Sequence, residues 1–353
     1  MKINSHKLSR LCHPGIAAAL LAAFLFGVGT PLAKLFLTAV NPWLLAGLLY
    51  LGSGSGLTLC RLFYQAPAVH LSAKDGLWFA GAIAAGGILA PVLLMFGLTH
   101  TLASDASLLL NAESLFTTLL AWFVFKENFG PRIFLGMLAI VGGAALLSWP
   151  DEAGLVSLWP VLAILGACLA WGIDNNLTRK VSLADPVWLA SCKGLAAGSV
   201  NLILACLFGA ELPTLPHVAG AMVVGFFAYG VSLVLFILGL RFLGTARTGA
   251  YFSAAPFIGA ALAVVLGEPL TVPLVLAGLL MSIGIWLHLT EKHSHAHRHM
   301  ELTHEHEHTH DEHHQHTHDA PVDPAAAHTH PHQHPTLEHT HTHFPDSHHQ
   351  HKH

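Results

Sequence analysis

Ten long apolar runs, separated by short polar breaks, occupy the chain from Gly15 to Leu289. They fall near residues 15–36, 42–63, 76–99, 103–125, 130–149, 157–177, 186–209, 217–240, 247–266 and 269–289. Each holds roughly 18 to 25 residues, enough for a helix rising 1.5 Å per residue to cross a hydrocarbon layer of about 30 Å. Window after window lacks the polar face that a helix of a water-soluble domain keeps. The pattern predicts an all-α integral membrane protein with ten transmembrane helices.

The pattern also repeats. Setting Glu127 on Glu268 lays residues 101–148 over 242–289 and brings Leu102 onto Leu243 and Phe116 onto Phe257. Further back, Gly27-Val28 with Leu32 and Lys34 is echoed by Gly172-Ile173 with Leu177 and Arg179. The duplicated unit is a five-helix repeat, 15–149 and then 150–289. Five crossings is an odd number, so the second half enters the bilayer from the opposite side and the repeats are inverted in topology, an arrangement of secondary transporters whose site lies between the halves near the midplane.

Charge orients the chain, because Lys and Arg stay on the cytoplasmic side. Lys2, Lys7 and Arg10 precede the first run, and Arg61 and Lys74, Lys126 and Arg132, Arg179 and Lys180, and Arg241 and Arg247 flank alternate loops. Lys34 alone lies at the other face, with Asp151, Glu152, Glu211 and Glu268. Residues 1–14 and the C-terminus are therefore expected in the cytoplasm, with a bacterial inner (plasma) membrane as the location. The basic start before an apolar stretch also fits a secretory signal peptide, but that run ends on charged Lys34 and matches the start of the second half. The five cysteines, Cys12, Cys60, Cys168, Cys192 and Cys206, are scattered and form no close pair; in helices they behave as small buried hydrophobes.

Phe26 to Lys34 (Phe-Gly-Val-Gly-Thr-Pro-Leu-Ala-Lys), Trp171 to Lys180 (Trp-Gly-Ile-Asp-Asn-Asn-Leu-Thr-Arg-Lys) and Gly267-Glu268-Pro269 carry a resemblance. Over residues 15–289 the chain resembles the drug/metabolite transporter (DMT) superfamily, in particular its ten-helix branch with two EamA-type repeats. At Phe125-Lys126-Glu127-Asn128 the usual Gly of that family is replaced by Lys126. The resemblance implies a proton- or gradient-driven carrier, often an exporter of amino acids or other small metabolites, working by alternating access and not an enzyme. It also implies a cavity lined by the third and fourth helices of each half, residues 76–125 and 217–266.

Ionisable side chains inside membrane helices are costly and each calls for a partner or a function. Glu113 lies near the centre of the fourth run beside Asn111 and Ser114. A buried carboxyl of this kind either exchanges protons near neutral pH, coupling transport or binding substrate, or stays protonated and hydrogen-bonded between helices. Asp105, eight residues earlier, shares its face by helical spacing, although its place near the helix end also suits a solvated residue. In the second half, Tyr251, Ser253 and Pro256 follow Arg247, and their hydroxyls face Glu113 if the two helices line one cavity; an ordinary packing role is the alternative for Tyr251. Asp174, with Asn175 and Asn176, and Lys193 sit on adjacent helices and pair either as a structural bond that fixes register or as a gate that opens when the pair breaks. Glycine clusters such as Gly52, Gly54 and Gly56, or Gly194 and Gly198, let helices approach closely in lipid. Pro91 and Pro256 interrupt helical hydrogen bonding in candidate cavity helices.

Beyond Thr290 the chemistry changes. The 63 residues from Glu291 to His353 hold 23 of the 29 histidines, with ten acids against three bases and almost nothing apolar. Such a segment cannot bury a core and is expected to be disordered. Imidazole binds zinc, nickel, cobalt and copper, so His293, His295, His297, His299, His304, His306, His308 and His310 are the first candidate ligands, and a tail-bound divalent metal is the one cofactor foreseen. The plain alternative is a solvated low-complexity extension.

Three functions fit. The first is a small-metabolite exporter regulated by metal on its tail. A second is a nickel, cobalt or zinc transporter whose tail collects the ion, although the apolar part holds no His or Cys cluster. The third, a membrane-anchored sensor or scaffold, leaves intramembrane Glu113 and the duplication without a purpose. The expected partners are lipid, a small molecule or ion, and a second copy of the chain in a homodimer; nothing supports nucleic-acid binding.

Overall fold

The computed structural model describes residues 14–66, 69, 71–125, 131–147, 158–181, 184–243, 245–289, 294–299, 302–308, 328–334 and 337–342. Its first half comprises α1 (Pro14–Phe36), α2 (Pro42–Phe63), α3 (Ala73–Ala82, a π-helical turn Ile83–Leu89, then Ala90–Thr99), α4 (Ala103–Leu109), α5 (Ala112–Phe125) and α6 (Pro131–Leu147). The second comprises α7 (Leu158–Thr178), α8 (Pro186–Leu207), α9 (Leu215–Gly225, a π-helical turn Phe226–Val231, then Ser232–Leu243), α10 (Thr245–Phe252), α11 (Ala255–Val265) and α12 (Val272–Leu289).

Among the described residues, six helices are long and apolar enough to cross a bilayer: Gly15–Phe36, Pro42–Phe63, Ala73–Thr99, Leu158–Val181, Pro186–Leu207 and Leu215–Gly239. Large apolar side chains stand exposed on them, Phe63, Leu77, Leu162 and Leu207 among others. So much outward hydrocarbon suits lipid as the solvent of this surface.

The fourth and ninth runs, expected as unbroken spans, are each divided. Leu110 and Asn111 separate α4 from α5; the Asn111 amide donates to the Leu108 carbonyl at 3.0 Å, in competition with the helical ladder. Ser253 and Ala254 separate α10 from α11, and Pro256 opens α11 at a first-turn position where its missing N–H does no harm. The third and eighth runs both carry a π turn at the same depth from their starts. In α3 the turn ends just before Pro91, whose missing N–H leaves the Gly87 carbonyl without its helical donor. The Asn201 amide lies 3.4 Å from the carbonyls of both Gly87 and Ile88 and offers the replacement.

Caps repeat as well. The Asn41 side chain accepts from the backbone N–H of Trp43 and Leu44 ahead of Pro42, and the Asp185 side chain accepts from Val187 and Trp188 around Pro186. These two capped helices, α2 and α8, pack tightly on each other, because Gly54 meets the backbone of Gly194 and Gly198 meets that of Leu51. The last helices of the halves, α6 and α12, also pair. The packing of α1 on α9 is matched by α7 on α3, and that of α1 on α11 by α7 on α5.

The chain divides into two units, the helical one ending at Glu291 and the tail from Lys292. The tail unit is described over four short segments. It holds β1 (Ser294–His299), β2 (Leu302–His308), β3 (His328–His334) and β4 (Leu337–Thr342), with β1 antiparallel to β4 and β2 antiparallel to β3. Alternation of His with Thr, Glu or Ala gives these segments the period of two that a ladder requires.

Candidate functional site

A cavity of about 70 Å³ lies inside the helical unit, lined from both halves. It has room for on the order of five waters and falls well short of the ~300 Å³ and more that encloses a drug-sized ligand. Its charged and amide-bearing groups are Glu113 from α5, Asp174 and Asn175 from α7, and Lys193 from α8, with the Ser232 hydroxyl from α9. Its walls are the rings of Phe26, Tyr50, Trp171, Tyr229, Phe236 and Phe252.

Glu113 owes its place to the break before α5, which starts a new helix with this residue in its first turn. Its Oε1 accepts from the Asn175 amide at 2.7 Å. The next asparagine serves the backbone, since Asn176 Nδ2 donates to the carbonyls of Gly172 at 2.8 Å and Thr117 at 3.2 Å. One turn of α7 thus divides its work between the cavity and the α5–α7 contact.

Asp174 and Lys193 form an ion pair whose side chains are each 6% exposed. The other Asp174 oxygen accepts from the Thr178 hydroxyl at 2.9 Å. The carboxylate lies against Gly86 in the π turn of α3, where any β-carbon would strike it. The Gly86 carbonyl accepts from Tyr50 Oη at 2.8 Å and Trp171 Nε1 at 3.0 Å. A π turn leaves carbonyls out of ordinary register, and here two rings of the cavity wall are fixed by one of them. Phe26 touches three other rings, with centroids 6.0 Å from Trp171, 5.9 Å from Tyr229 and 5.4 Å from Phe252. By the Gly27–Gly172 correspondence, Phe26 and Trp171 are repeat mates, and they meet edge to face between the halves.

Of the residues singled out from sequence, the fold brings Glu113, Asp174, Asn175 and Lys193 to one cavity and leaves Asp105, Asn111, Tyr251 and Ser253 off its wall. Asp105 lies in the first turn of α4; the Leu110–Asn111 break destroys the helical phase that was to align it with Glu113. Asn111 is buried with its amide 3.6 Å from Met281 Sδ on α12, outside the cavity lining. Tyr251 and Ser253 are half-buried, and the residue between them, Phe252, lines the cavity instead, since adjacent helical positions face different ways. The third helices contribute unequally: α9 lends four residues from Ala228 to Leu233 and then Phe236, whereas α3 is screened by Tyr50 and Trp171. Tyr50 and Tyr229 escaped the sequence reading; Phe26 and Trp171 stood in the repeated motif and were legible there. Arg247's side chain, Glu127, Lys126, His293 and His310 lie outside the described residues.

At the end of the bundle reached by the C-terminus of α1, Lys34 Nζ donates to the carbonyls of Leu98 and, at 3.0 Å, Thr101. There Glu268 accepts from the backbone N–H of Ala103 and Ser104, each at 2.8 Å, and so caps α4 from the other half. Gly267 has φ 107°, a conformation open to glycine, and it turns the chain that presents Glu268. Toward the C-terminus of α2, Arg61 pairs with Asp185 at the start of α8.

Comparison with known proteins agrees with this architecture. An uncharacterized transporter of Methanothermobacter thermautotrophicus is 27% identical over 298 residues, covering 77% of this chain and 85% of its own. The uncharacterized transporter YvbV of Bacillus subtilis is 26% identical over 284 residues, covering 76% and 90%. A crystal structure 20% identical in sequence superposes with a TM-score of 0.60 over 77% of this chain and 95% of that one, which supports the fold. The profile of the EamA-like transporter family matches twice, at residues 13–149 and 158–290. With each half matching the same unit, and with apolar helices built to lie in lipid, the chain is a multi-pass membrane protein that belongs to the EamA-like transporter family.

Proposed function

We propose that this protein is a gradient-driven exporter of small metabolites that works by alternating access between two inverted five-helix halves and is regulated by metal on its tail. The observation that carries the reading is the placing of Glu113, Asn175 and the buried Asp174–Lys193 pair in one aromatic-walled cavity between the halves. The matched helix pairs and the equivalent π turns and breaks support the inverted repeat. On this topology ten spans leave both termini in the cytoplasm, with the Lys34–Glu268 end outside.

The charge set suits a zwitterion such as an amino acid. Glu113 meets the ammonium, the rings take the side chain, and the substrate carboxylate competes with Asp174 for Lys193. Asp174 released in this way sits at the hinge-like π turn of α3, so substrate and gate are linked through one lysine. Proton uptake at Glu113 releases the ammonium and resets the site. A divalent-metal cargo is disfavoured, because among the described residues no three His, Cys, Asp or Glu side chains converge as a metal site and Lys193 already supplies a cation.

The test is flux in proteoliposomes loaded with a panel of radiolabelled amino acids, in parallel with radiolabelled nickel, cobalt and zinc, under an imposed proton gradient. Gradient-dependent amino-acid flux in the intact chain, abolished by Glu113→Gln, is the expected result. Metal flux abolished by the same substitution overturns the metabolite reading, and absence of every flux overturns both.

A further inference from the structure

The hydrogen-bond donors around the cavity are almost all in use. Tyr50 Oη and Trp171 Nε1 both donate to the Gly86 carbonyl, at 2.8 and 3.0 Å. The Asn175 amide serves Glu113 Oε1 at 2.7 Å and Thr117 Oγ1 at 3.4 Å, and the Ser232 hydroxyl donates to the Ala22 carbonyl at 3.0 Å. The charge of Lys193 is matched by Asp174. Tyr229 is the exception. It lines the same cavity, is 7% exposed, and has no hydrogen bond from its hydroxyl to another described residue. Nor is that oxygen sealed in packing, as the hydroxyls of Ser104, Ser107 and Thr248 are; the space it opens on is the cavity.

The repeat accounts for a tyrosine at this place. Counted from the starts of the two π turns, Ile83 and Phe226, the mate of Tyr229 is Gly86. Gly86 leaves room for the Asp174 carboxylate, which stands where a β-carbon would go. By the Gly27–Gly172 correspondence the mate of Asp174 is Gly29, and there the Tyr229 ring comes within 3.9 Å of the missing β-carbon. Each half thus sets one large side chain against one glycine, in opposite order. The phenol also lies on the side of the ion pair: its ring centroid is 5.3 Å from that of Tyr50, whose hydroxyl ends on the Gly86 carbonyl beside Asp174 and Lys193.

We infer that Tyr229 is a specificity-determining residue whose hydroxyl donates to the carboxylate of a zwitterionic substrate. The inference rests on the amino-acid reading of the cavity and names the group that recognises the acid end. An entering carboxylate gives up its water and needs donors in exchange. Taking Tyr50, Trp171, Asn175 or Ser232 strands a buried acceptor, and taking Lys193 strands Asp174. Tyr229 can donate without breaking any bond within the protein. Capture by the phenol therefore comes first and holds the carboxylate beside Lys193, for which it then competes with Asp174. A ligand without a carboxylate leaves this hydroxyl idle, so the residue separates amino acids from the corresponding amines.

The experiment compares L-alanine with ethylamine, its counterpart without the carboxylate, by calorimetry on the full-length chain in detergent. Both are small enough for a cavity of about 70 Å³. The intact chain should prefer alanine. Tyr229→Phe keeps the ring and should weaken alanine by about tenfold to a hundredfold, the worth of a hydrogen bond to a charged group, while ethylamine holds its affinity. Because the hydroxyl has no protein partner, the unfolding midpoint should not move. Tyr50→Phe removes a hydroxyl already committed to Gly86 and should keep the preference for alanine. The role of Tyr229 is overturned, with the cavity still standing as a binding site, by any of three results: no preference in the intact chain, alanine unchanged in Tyr229→Phe, or both ligands weakened alike. An intact chain that binds neither ligand overturns this role together with the amino-acid reading, which the flux panel tests independently.

Discussion

The π turns of α3 and α9 occupy equivalent places in the two halves, yet their surroundings differ. Around the α3 turn the Gly86 carbonyl holds Tyr50 and Trp171, and the Asp174–Lys193 pair presses on the same glycine. Around the α9 turn Gly230 faces the Ser53 hydroxyl, and Tyr229 packs on Phe26 and Tyr50. The same backbone interruption is charged on one side and aromatic on the other. By the Pro42–Pro186 and Gly27–Gly172 correspondences, the mates of Lys193 and Asp174 are Leu49 and Gly29. Duplication set the frame, and the chemistry then settled in one of its two equivalent positions.

Breaking the charged side has the largest expected effect. Lys193→Ala strands Asp174 as a buried lone charge and should cost about 3–5 kcal/mol of stability, whereas Lys193→Met combined with Asp174→Asn should recover most of it. Thermal unfolding in detergent, followed by a thiol-reactive dye on the free cysteines, reads both. A double variant that is as unstable as the single one contradicts the assignment of the loss to an uncompensated charge.

Gly86→Ala and Gly230→Ala compare the two π turns directly. The first drives a methyl group into the Asp174 carboxylate and should cost about 1–3 kcal/mol. The second meets only the end of Ser53, 3.0 Å away, and should cost clearly less. Equal losses in the same unfolding assay would erase the contrast between the turns.

Tyr50→Phe and Trp171→Phe each remove one donor from the Gly86 carbonyl and should cost about 1 kcal/mol apiece. Because the two donors share an acceptor, their effects should not add, and the double variant should lose more than the sum. An effect of the same order as one of those single losses is expected at Glu268→Ala, about 0.5–2 kcal/mol for a lost helix cap. Hydrogen exchange at the Ala103 and Ser104 amides should rise in that variant while exchange near Lys193 stays unchanged.

Much of the fold was legible because hydrophobic runs and their repetition are one-dimensional facts. The helical spans, the duplication and the pairing partner of Lys193 could all be read along the chain. The divided fourth and ninth spans could not, since Leu110–Asn111 lies in an apolar run whose break depends on an asparagine turning back to its own helix. That one break sets Asp105 and Asn111 apart from the cavity that Glu113 lines, because helical periodicity does not carry across it. The aromatic wall was hidden for another reason: Tyr50 and Tyr229 come from helices far apart in sequence and meet only through the packing of the halves.

The Glu268 cap on α4 and the Asp174–Lys193 pair both join separate parts of the chain, but they differ in what replaces them when broken. Glu268 is partly exposed although Ala103 and Ser104, whose amides it caps, are buried, so water can reach its carboxylate when those bonds part, and the loss is that of a helix cap. Asp174 and Lys193 are each only 6% exposed, and removing either leaves a buried charge without its partner. Charge buried at the centre of the bundle is thus the costlier bond to lose, and the cap at its end the cheaper.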